Sequence, residues 1–217
     1  MGCCWFNKWI LIMKKIFLII FILSTLLCNA QKLIVNGYKH AAPAITYSTF
    51  NPSFTEPGLI LSNGNKTLTG DGLTNGLSRS IDSCWQNTAV EITVTNASAF
   101  AYFGLVTKDA SRGDAPGVDQ YGWIWRGDGF YGVTNFDFGS ATFQSLSNGD
   151  IVGMTFNISN GEQKMYKNGT LVGTMFTLST SSKYYVAAGF RGTTDALTVN
   201  FGATAFSYSY PYTGLYH

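Results

Sequence analysis

The sequence predicts an all-β protein, built as a sandwich or barrel of short strands behind a hydrophobic leader. Glycines and Asn-Gly pairs interrupt the chain every few residues, and short runs rich in β-branched and aromatic side chains lie between them. After the leader, no long stretch shows apolar residues at helical spacing. Many short strands bounded by turn residues are typical of sandwiches and barrels.

Residues 13–30 have the layout of a secretory signal peptide. Two lysines precede an apolar run at 16–28, and a small residue, Ala30, follows, which places cleavage after Ala30. A membrane span needs about 20 apolar residues, so an uncleaved anchor is kept only as the alternative. Residues 1–12 fit the layout poorly and are interpreted as an upstream extension, and 31–44 as a linker or edge segment. We therefore expect a secreted, cell-surface or periplasmic protein.

Charge and cysteine content narrow the classes of function. The whole chain has a net charge of +2, but three of its lysines lie in the leader, and the rest carries eleven basic against twelve acidic side chains. Such a near-neutral domain lacks the electrostatic footprint of a nucleic-acid-binding protein. Three of the four cysteines also lie in the leader, so no internal disulfide is expected. Cys84 is predicted to be a buried small hydrophobe rather than a nucleophile.

Seven strand-like runs follow the leader. They are short, rich in β-branched and aromatic residues, and bounded by turn residues. In chain order they are GLILS from 58, VEITVT from 90, FAYFGLVT from 100, YGWIW from 121, DIVGMTFNIS from 150, KYYVAAGF from 183 and ALTVNFG from 196. We find no internal repeat and no boundary between them, so we expect one domain.

Residues 150–176 predict a three-stranded meander. The strand 150–158 turns at Ser159-Asn160-Gly161, and Glu162 to Lys167 is joined to Thr170 to Phe176 by Asn168-Gly169. Asn-Gly favours a type I′ turn, because both central residues tolerate positive φ. One alternating set on the first strand is wholly apolar and is predicted to face the core. This set is Val152, Met154, Phe156 and Ile158.

The meander resembles the central signature of SPRY domains. That signature has a Gly-Asp entry, an apolar strand, an aromatic-Lys-Asn-Gly hairpin and a following glycine, here Gly149-Asp150, Ile151 to Phe156, Tyr166 to Gly169 and Gly173. VEITV and AYFGLVT are similar to two further family strands. The tail with Asn200-Phe201-Gly202, Phe206 and Pro211 is similar to its closing segment. The resemblance covers about 45–212, with Gln163 and Met165 standing where the family usually has apolar and Phe residues.

The resemblance implies a bent β-sandwich of two antiparallel sheets, related in shape to legume lectins. It also implies a non-catalytic recognition module, since most characterised SPRY domains bind peptide or protein segments through loops at one end of the sandwich. We therefore expect a protein or peptide partner and no cofactor. A carbohydrate-binding, lectin-like module is the alternative, followed by a glycoside hydrolase or lyase and by a structural subunit of a surface assembly.

The inventory of reactive side chains argues against an enzyme. The two histidines are His40 and His217, and no G-x-S-x-G motif occurs, so a Ser-His or Cys-His mechanism lacks support. The same inventory excludes a His/Cys metal site. Glycosidases need two carboxylates about 5–10 Å apart, and no strand carries alternating acids. Asp109, Asp114 and Asp119 are interpreted as a solvated loop rather than a calcium site.

The candidate ligand-binding residues follow strand ends and loops. Tyr121, Trp123 and Trp125 alternate along one strand and are predicted to fill the core, although aromatics on a sheet face also stack on sugars or hold peptides. Charged and aromatic residues near the ends of strands are better exposed. The candidates are Arg112, Arg126, Asp128, Tyr131, Arg191 and Asp195. Which of their loops share an end of the sandwich does not follow from the sequence.

Overall fold

The computed structural model describes residues 15–26, 44–114, 121–133 and 138–216. The chain divides into two compact units, Met1–Ala44 and Ile45–His217. The described part of the first unit contains an α-helix at 15–26, within the predicted leader. In the described ranges, no helix has both the length and the apolar character needed to cross a membrane.

Several expectations fall outside the described residues. These are the extension 1–12, the cleavage site after Ala30, the linker up to 43, both histidines and Asp119. The signal peptide and its cleavage therefore stay predictions.

The described residues of the second unit form thirteen strands in two antiparallel sheets. In chain order they are β1 (Leu59–Ser62), β2 (Thr67–Gly70), β3 (Asn75–Ser83), β4 (Thr88–Asn96), β5 (Ala101–Thr107), β6 (Gly122–Arg126), β7 (Phe130–Val133), β8 (Phe138–Thr142), β9 (Ile151–Asn157), β10 (Glu162–Lys167), β11 (Thr170–Thr177), β12 (Tyr184–Arg191) and β13 (Ala196–Asn200). One sheet has the order β1-β2-β13-β4-β9-β10-β11, and the other has the order β3-β12-β5-β6-β7-β8. This architecture confirms the predicted β-sandwich.

All seven strand-like runs and the β9–β10–β11 meander are confirmed. Asn168 and Gly169 have φ values of 48° and 78°, as the type I′ turn requires. The sequence analysis missed β2, β3, β7 and β8. Strand β3 reads NGLSRSIDS, and its Ser78 and Ser80 are buried because they hydrogen-bond Thr55 and the Val186 N–H. Buried serines with such partners look like loop residues in the sequence.

The core lies between the two sheets. Val152, Met154 and Phe156 are buried in it as predicted, and Ile158 packs against it. Cys84 is also buried there, and this burial raises the pKa of its thiol to about 12. Both the inward face of β9 and the role of Cys84 are thereby confirmed.

The aromatic strand follows the core prediction at two of three positions. Trp125 is buried in the core, and Trp123 packs against it. Tyr121 instead packs against a small cluster that contains Val106 and Ala187. The reason is that β6 begins at Gly122, so the alternation of side chains does not extend to Tyr121.

A C-terminal strap, residues 203–212, crosses the outer face of the seven-stranded sheet. Gly153 makes room for it, because a Cβ at this position would lie 2.4 Å from the Tyr210 ring. Beneath the strap lies Glu91 on β4, which is 3% exposed. Its carboxylate accepts hydrogen bonds from the Ser207 N–H, the Tyr208 N–H and the Tyr210 hydroxyl at 2.7–3.0 Å.

The two ends of this unit lie side by side. Tyr47 and Tyr216 form an antiparallel bridge, and the Ser48 N–H donates to the Leu215 carbonyl at 2.9 Å. The indole N–H of Trp85 donates to the carbonyl of Tyr216. The C-terminal segment is therefore held at Glu91 and again where the two ends of this unit meet.

Candidate functional site

Four loops meet at one end of the sandwich, which we call the arginine end. They are 71–74, 97–100, 127–129 and 192–195, and the end includes Arg126 and Arg191, the last residues of β6 and β12. Strand register fixes this arrangement, because Tyr102 pairs with Arg126 on one side and with Gly189 on the other. Backbone hydrogen bonds join the loops, among them Gly70 N–H to the Asp195 carbonyl. The structure thus answers which loops share an end.

Arg126 and Asp128 form a bidentate ion pair across the β6–β7 turn. Arg126 Nε donates to Asp128 Oδ1 at 2.8 Å, and Nη2 donates to Oδ2 at 2.6 Å. The guanidinium also lies 4.9 Å from the centre of the Phe130 ring. The two side chains are 16% and 27% exposed, and the hydrogen bond with Asp128 raises the pKa of Arg126. This fork geometry holds the guanidinium in one orientation.

Tyr102 lies between the two arginines of this end. The residue is 1% exposed, and the strand register places its side chain on the same face of the sheet as those of Arg126 and Arg191. Burial raises the pKa of Tyr102, and the two nearby positive charges offset part of that effect. The phenol therefore stays neutral, and it lies between two guanidiniums that come from different strands.

Asp195 requires a correction. It is 3% exposed, and its oxygens accept hydrogen bonds from the Ser98 N–H, the Ser98 hydroxyl and the Thr193 hydroxyl at 2.7–2.8 Å. These contacts tie the 97–100 and 192–195 loops together. A carboxylate buried and satisfied in this way belongs to the frame of the site, and its surface is not offered to a ligand.

Tyr131 also lies elsewhere than its strand-end position suggested. Its ring stacks on Phe143 at a centroid distance of 4.4 Å and an interplanar angle of 18°. It also contacts the Phe176 ring at 5.8 Å. Because Tyr131 pairs with Trp125 across β6 and β7, its side chain lies on the core side of the sheet.

Arg112 has a different set of contacts. Its side chain lies 3.6 Å from the Glu56 carboxylate and is 48% exposed. Its carbonyl accepts a hydrogen bond from the Leu77 N–H, which places it at the edge of β3. Arg126, Asp128 and Arg191 are thus the predicted residues that the structure brings together, and Arg112 lies outside that group.

The acidic loop shows ordinary surface pairing at Asp109, which forms an ion pair with Lys108. Within the described ranges, no group of three or more His, Cys, Asp and Glu side chains is arranged to hold a metal ion.

Tyr102 is the residue of this site that the sequence analysis missed. It lies within AYFGLVT, where both alternating faces are apolar or small. Its importance comes from the register that places it beside Arg126 and near Arg191. Register between strands far apart in sequence is set by packing, so no local pattern marked this residue.

The comparisons with known proteins agree with this architecture. The family described as SPRY domain matches residues 89–204. The SPRY domain of human HERC1 superposes with a TM-score of 0.60 at 13% identity, over 72% of this chain and 99% of that one. The TRIM65 PSpry domain has a TM-score of 0.55 at 14% identity, over 71% of this chain and 92% of that one. No curated protein sequence matches significantly.

The stonustoxin structure is similar over a smaller share of its own length. Its TM-score is 0.59 at 14% identity, and the match covers 71% of this chain but 27% of that chain. At these identities the structures show the fold alone. SPRY domains are typically protein–protein interaction modules and are generally non-catalytic. The family match spans more than half of the sequence, and its sandwich is the one described above, so this chain belongs to the SPRY domain family.

Proposed function

We propose that this protein is an exported recognition module that binds a segment of a protein partner at the arginine end. The observation that carries the proposal is the strand register that places Arg126, Tyr102 and Arg191 on one face of the sheet at the arginine end. Two guanidiniums at the ends of β6 and β12, the two strands that flank β5, offer a recognition surface. Arginine is enriched at the energetic centres of protein interfaces.

Contacts within the arginine end order this surface before a partner binds. Asp128 holds Arg126 in a bidentate pair, and Asp195 ties two of the loops together. Side chains that are already ordered lose less conformational entropy when a partner binds. Arg191 is exposed at the end of β12 and provides the accessible contact.

Export is supported by the leader, with its two lysines, apolar run and small residue at Ala30. Expression of the full chain in a secreting host, followed by N-terminal sequencing of the product, tests it. A mature chain that begins at Gln31 is the expected result. A product that keeps the apolar run and fractionates with membranes would instead identify an anchor.

Partner binding can be tested with the purified protein immobilised and offered a cell-surface extract. The wild type is compared with Arg191→Ala and with Lys183→Ala, a matched loss of one exposed cation at the opposite end of the sandwich. We expect a partner that the wild type and Lys183→Ala retain equally and that Arg191→Ala retains about tenfold less. Binding must survive enzymatic deglycosylation of the extract.

Equal retention by Arg191→Ala would remove the arginine end from the proposal. Loss of retention after deglycosylation would favour a glycan ligand, the alternative that the sequence left open. The structural feature that supports a glycan ligand is a cavity at the other end of the sandwich.

A further inference from the structure

A second recess lies at the end opposite the arginine end. We call it the tryptophan cavity, and it is lined by 107–109, Tyr121, Trp123 and 181–183 with a volume of about 490 Å³. Its place follows from the register, because Thr107 pairs with Tyr184 at the far end of the strands that carry Arg191 and Tyr102. Small-ligand sites have volumes of about 300–1,000 Å³, so one or two sugar-sized rings fit its dimensions.

One wall of the cavity is aromatic. Trp123 is half-buried, and its ring meets Tyr184 edge-on at a centroid distance of 5.3 Å and an angle of 78°. In the part of the chain that the structure describes, the indole N–H of Trp123 has no hydrogen-bond acceptor. An indole fixed by packing offers an apolar surface and one directed donor. That combination suits a ring with C–H groups on its face and oxygens on its rim.

The rim of the cavity is polar and carries a net positive charge. Lys108 forms an ion pair with Asp109. Among the described residues, Lys183 has no carboxylate within ion-pair distance. Ser181 and Ser182 stand beside it in the lining, and the Ser181 hydroxyl also shares a 2.8 Å hydrogen bond with the Ser179 hydroxyl. With no carboxylate partner among the described residues, the ammonium of Lys183 favours an anionic group on the ligand.

We infer that the tryptophan cavity binds a pyranose ring that carries a carboxylate, as in a uronic acid. Trp123 and Tyr121 provide the surface for the ring, Lys183 pairs with the carboxylate, and the serine hydroxyls accept or donate to ring hydroxyls. Protein recognition at the arginine end and sugar recognition here use separate residues. The two binding activities can therefore be tested independently of each other.

A different cavity lies beside Glu91, and its lining differs in chemistry from that of the tryptophan cavity. It has a volume of about 310 Å³ and a polar lining. Its main polar groups are already engaged, since Glu91 accepts three hydrogen bonds from the strap and Asn200 bonds Gly202 and Thr204. The tryptophan cavity instead combines an aromatic wall with the ammonium of Lys183.

The probes are galacturonate and glucuronate and their short oligomers, with galactose and glucose as neutral counterparts. Binding to the purified protein is followed by saturation-transfer NMR and by tryptophan fluorescence. We expect the uronates to bind more tightly than the neutral sugars, by about threefold to fivefold for one exposed charge pair. Lys183→Gln should abolish that difference, and Trp123→Phe should weaken binding of every sugar. Arg191→Ala should leave sugar binding unchanged.

Thermal unfolding of each variant shows whether it is folded, and Lys183→Gln changes only an exposed side chain. The inference is overturned if no uronate binds at millimolar concentration, or if the preference for uronates persists in Lys183→Gln. It is also overturned if Arg191→Ala, rather than Lys183→Gln, removes uronate binding. None of these results bears on retention of a protein partner at the arginine end.

Discussion

Glu91 and Asp128 both have carboxylates that hold neighbouring groups in place, but Glu91 stabilises the fold whereas Asp128 orients a side chain near the surface. Glu91 lies beneath the C-terminal strap at 3% exposure, and its three partners belong to the chain's own tail. Asp128 is 27% exposed in its side chain and holds one guanidinium at the surface. The comparison teaches that burial decides whether a carboxylate stabilises the fold or positions a side chain for a partner.

The physical reason lies in desolvation. A charge taken out of water must be satisfied by donors, and loss of the satisfied group leaves those donors unpaired. An ion pair that stays in contact with water contributes little to stability. Burial first, and then the charge of Glu91, raise the pKa of Tyr210, so its phenol remains a protonated donor.

Replacement of Glu91 should have the largest effect on stability. Glu91→Ala leaves two backbone N–H groups and the Tyr210 hydroxyl without their acceptor, and we expect the free energy of unfolding to fall by about 3–5 kcal/mol. Urea unfolding followed by tryptophan fluorescence measures it. Glu162→Ala, which removes an exposed partner of Lys164, is the control and should unfold like the wild type. Equal midpoints for the two variants would contradict the assignment.

A methyl group beneath the strap should have the next largest effect. In Gly153→Ala the new Cβ meets the Tyr210 ring, so we expect a loss of about 1–3 kcal/mol. The control is Tyr210→Ala, alone and combined with Gly153→Ala. If the strap packs as described, Gly153→Ala costs much less once the ring is gone. Additive effects in this double-mutant cycle would show that the two residues do not meet.

Gln163 extends the comparison, because its side chain is buried like that of Glu91 but is not fully hydrogen-bonded among the described residues. Its Nε2 reaches the Trp123 carbonyl and Met154 sulfur at 3.3–3.4 Å, and its Oε1 has no hydrogen-bond partner among the described residues. Gln163→Met keeps the volume and removes the unpaired oxygen. We expect stability to stay constant or to rise by up to about 1 kcal/mol. A clear loss in urea unfolding would indicate that the amide oxygen is satisfied in solution, for example by a buried water.

Loss of the Asp128 charge should have the smallest effect on stability and a separate effect on binding. Asp128→Asn releases Arg126 from its bidentate pair, and the free energy of unfolding should change by no more than about 1 kcal/mol. Retention of the protein partner should fall, because Arg126 loses its fixed orientation. The same immobilised-protein measurement reports it. Unaltered retention would separate the ion pair from recognition.

The meander was predictable because its information is local. Asn168-Gly169 specifies a turn, and the apolar alternation of β9 specifies an inward face, without help from the rest of the chain. Strand β3 was not predictable in this way, because Ser78 and Ser80 are buried only through partners far away in sequence.

The candidate site was predictable only in part, for the same reason. Arg126, Asp128 and Arg191 stand out as charged residues at strand ends. Asp195 and Tyr131 have similar strand-end positions in the sequence. In the structure, however, Asp195 joins two loops through hydrogen bonds, and the Tyr131 ring packs towards the core. No pattern in the sequence could assign Tyr102 its place between two strands that are distant along the chain.

The pairing of the two ends of the second unit at Tyr47 and Tyr216 has a mechanical consequence. A tension applied between the two ends would pull on neighbouring, antiparallel segments, so their contacts would open one after another instead of shearing together. The bridge and the Ser48–Leu215 hydrogen bond would yield first. The strap would then detach from the sheet as far as Glu91, where three hydrogen bonds would resist further detachment. The sheets behind it would carry load only after that point.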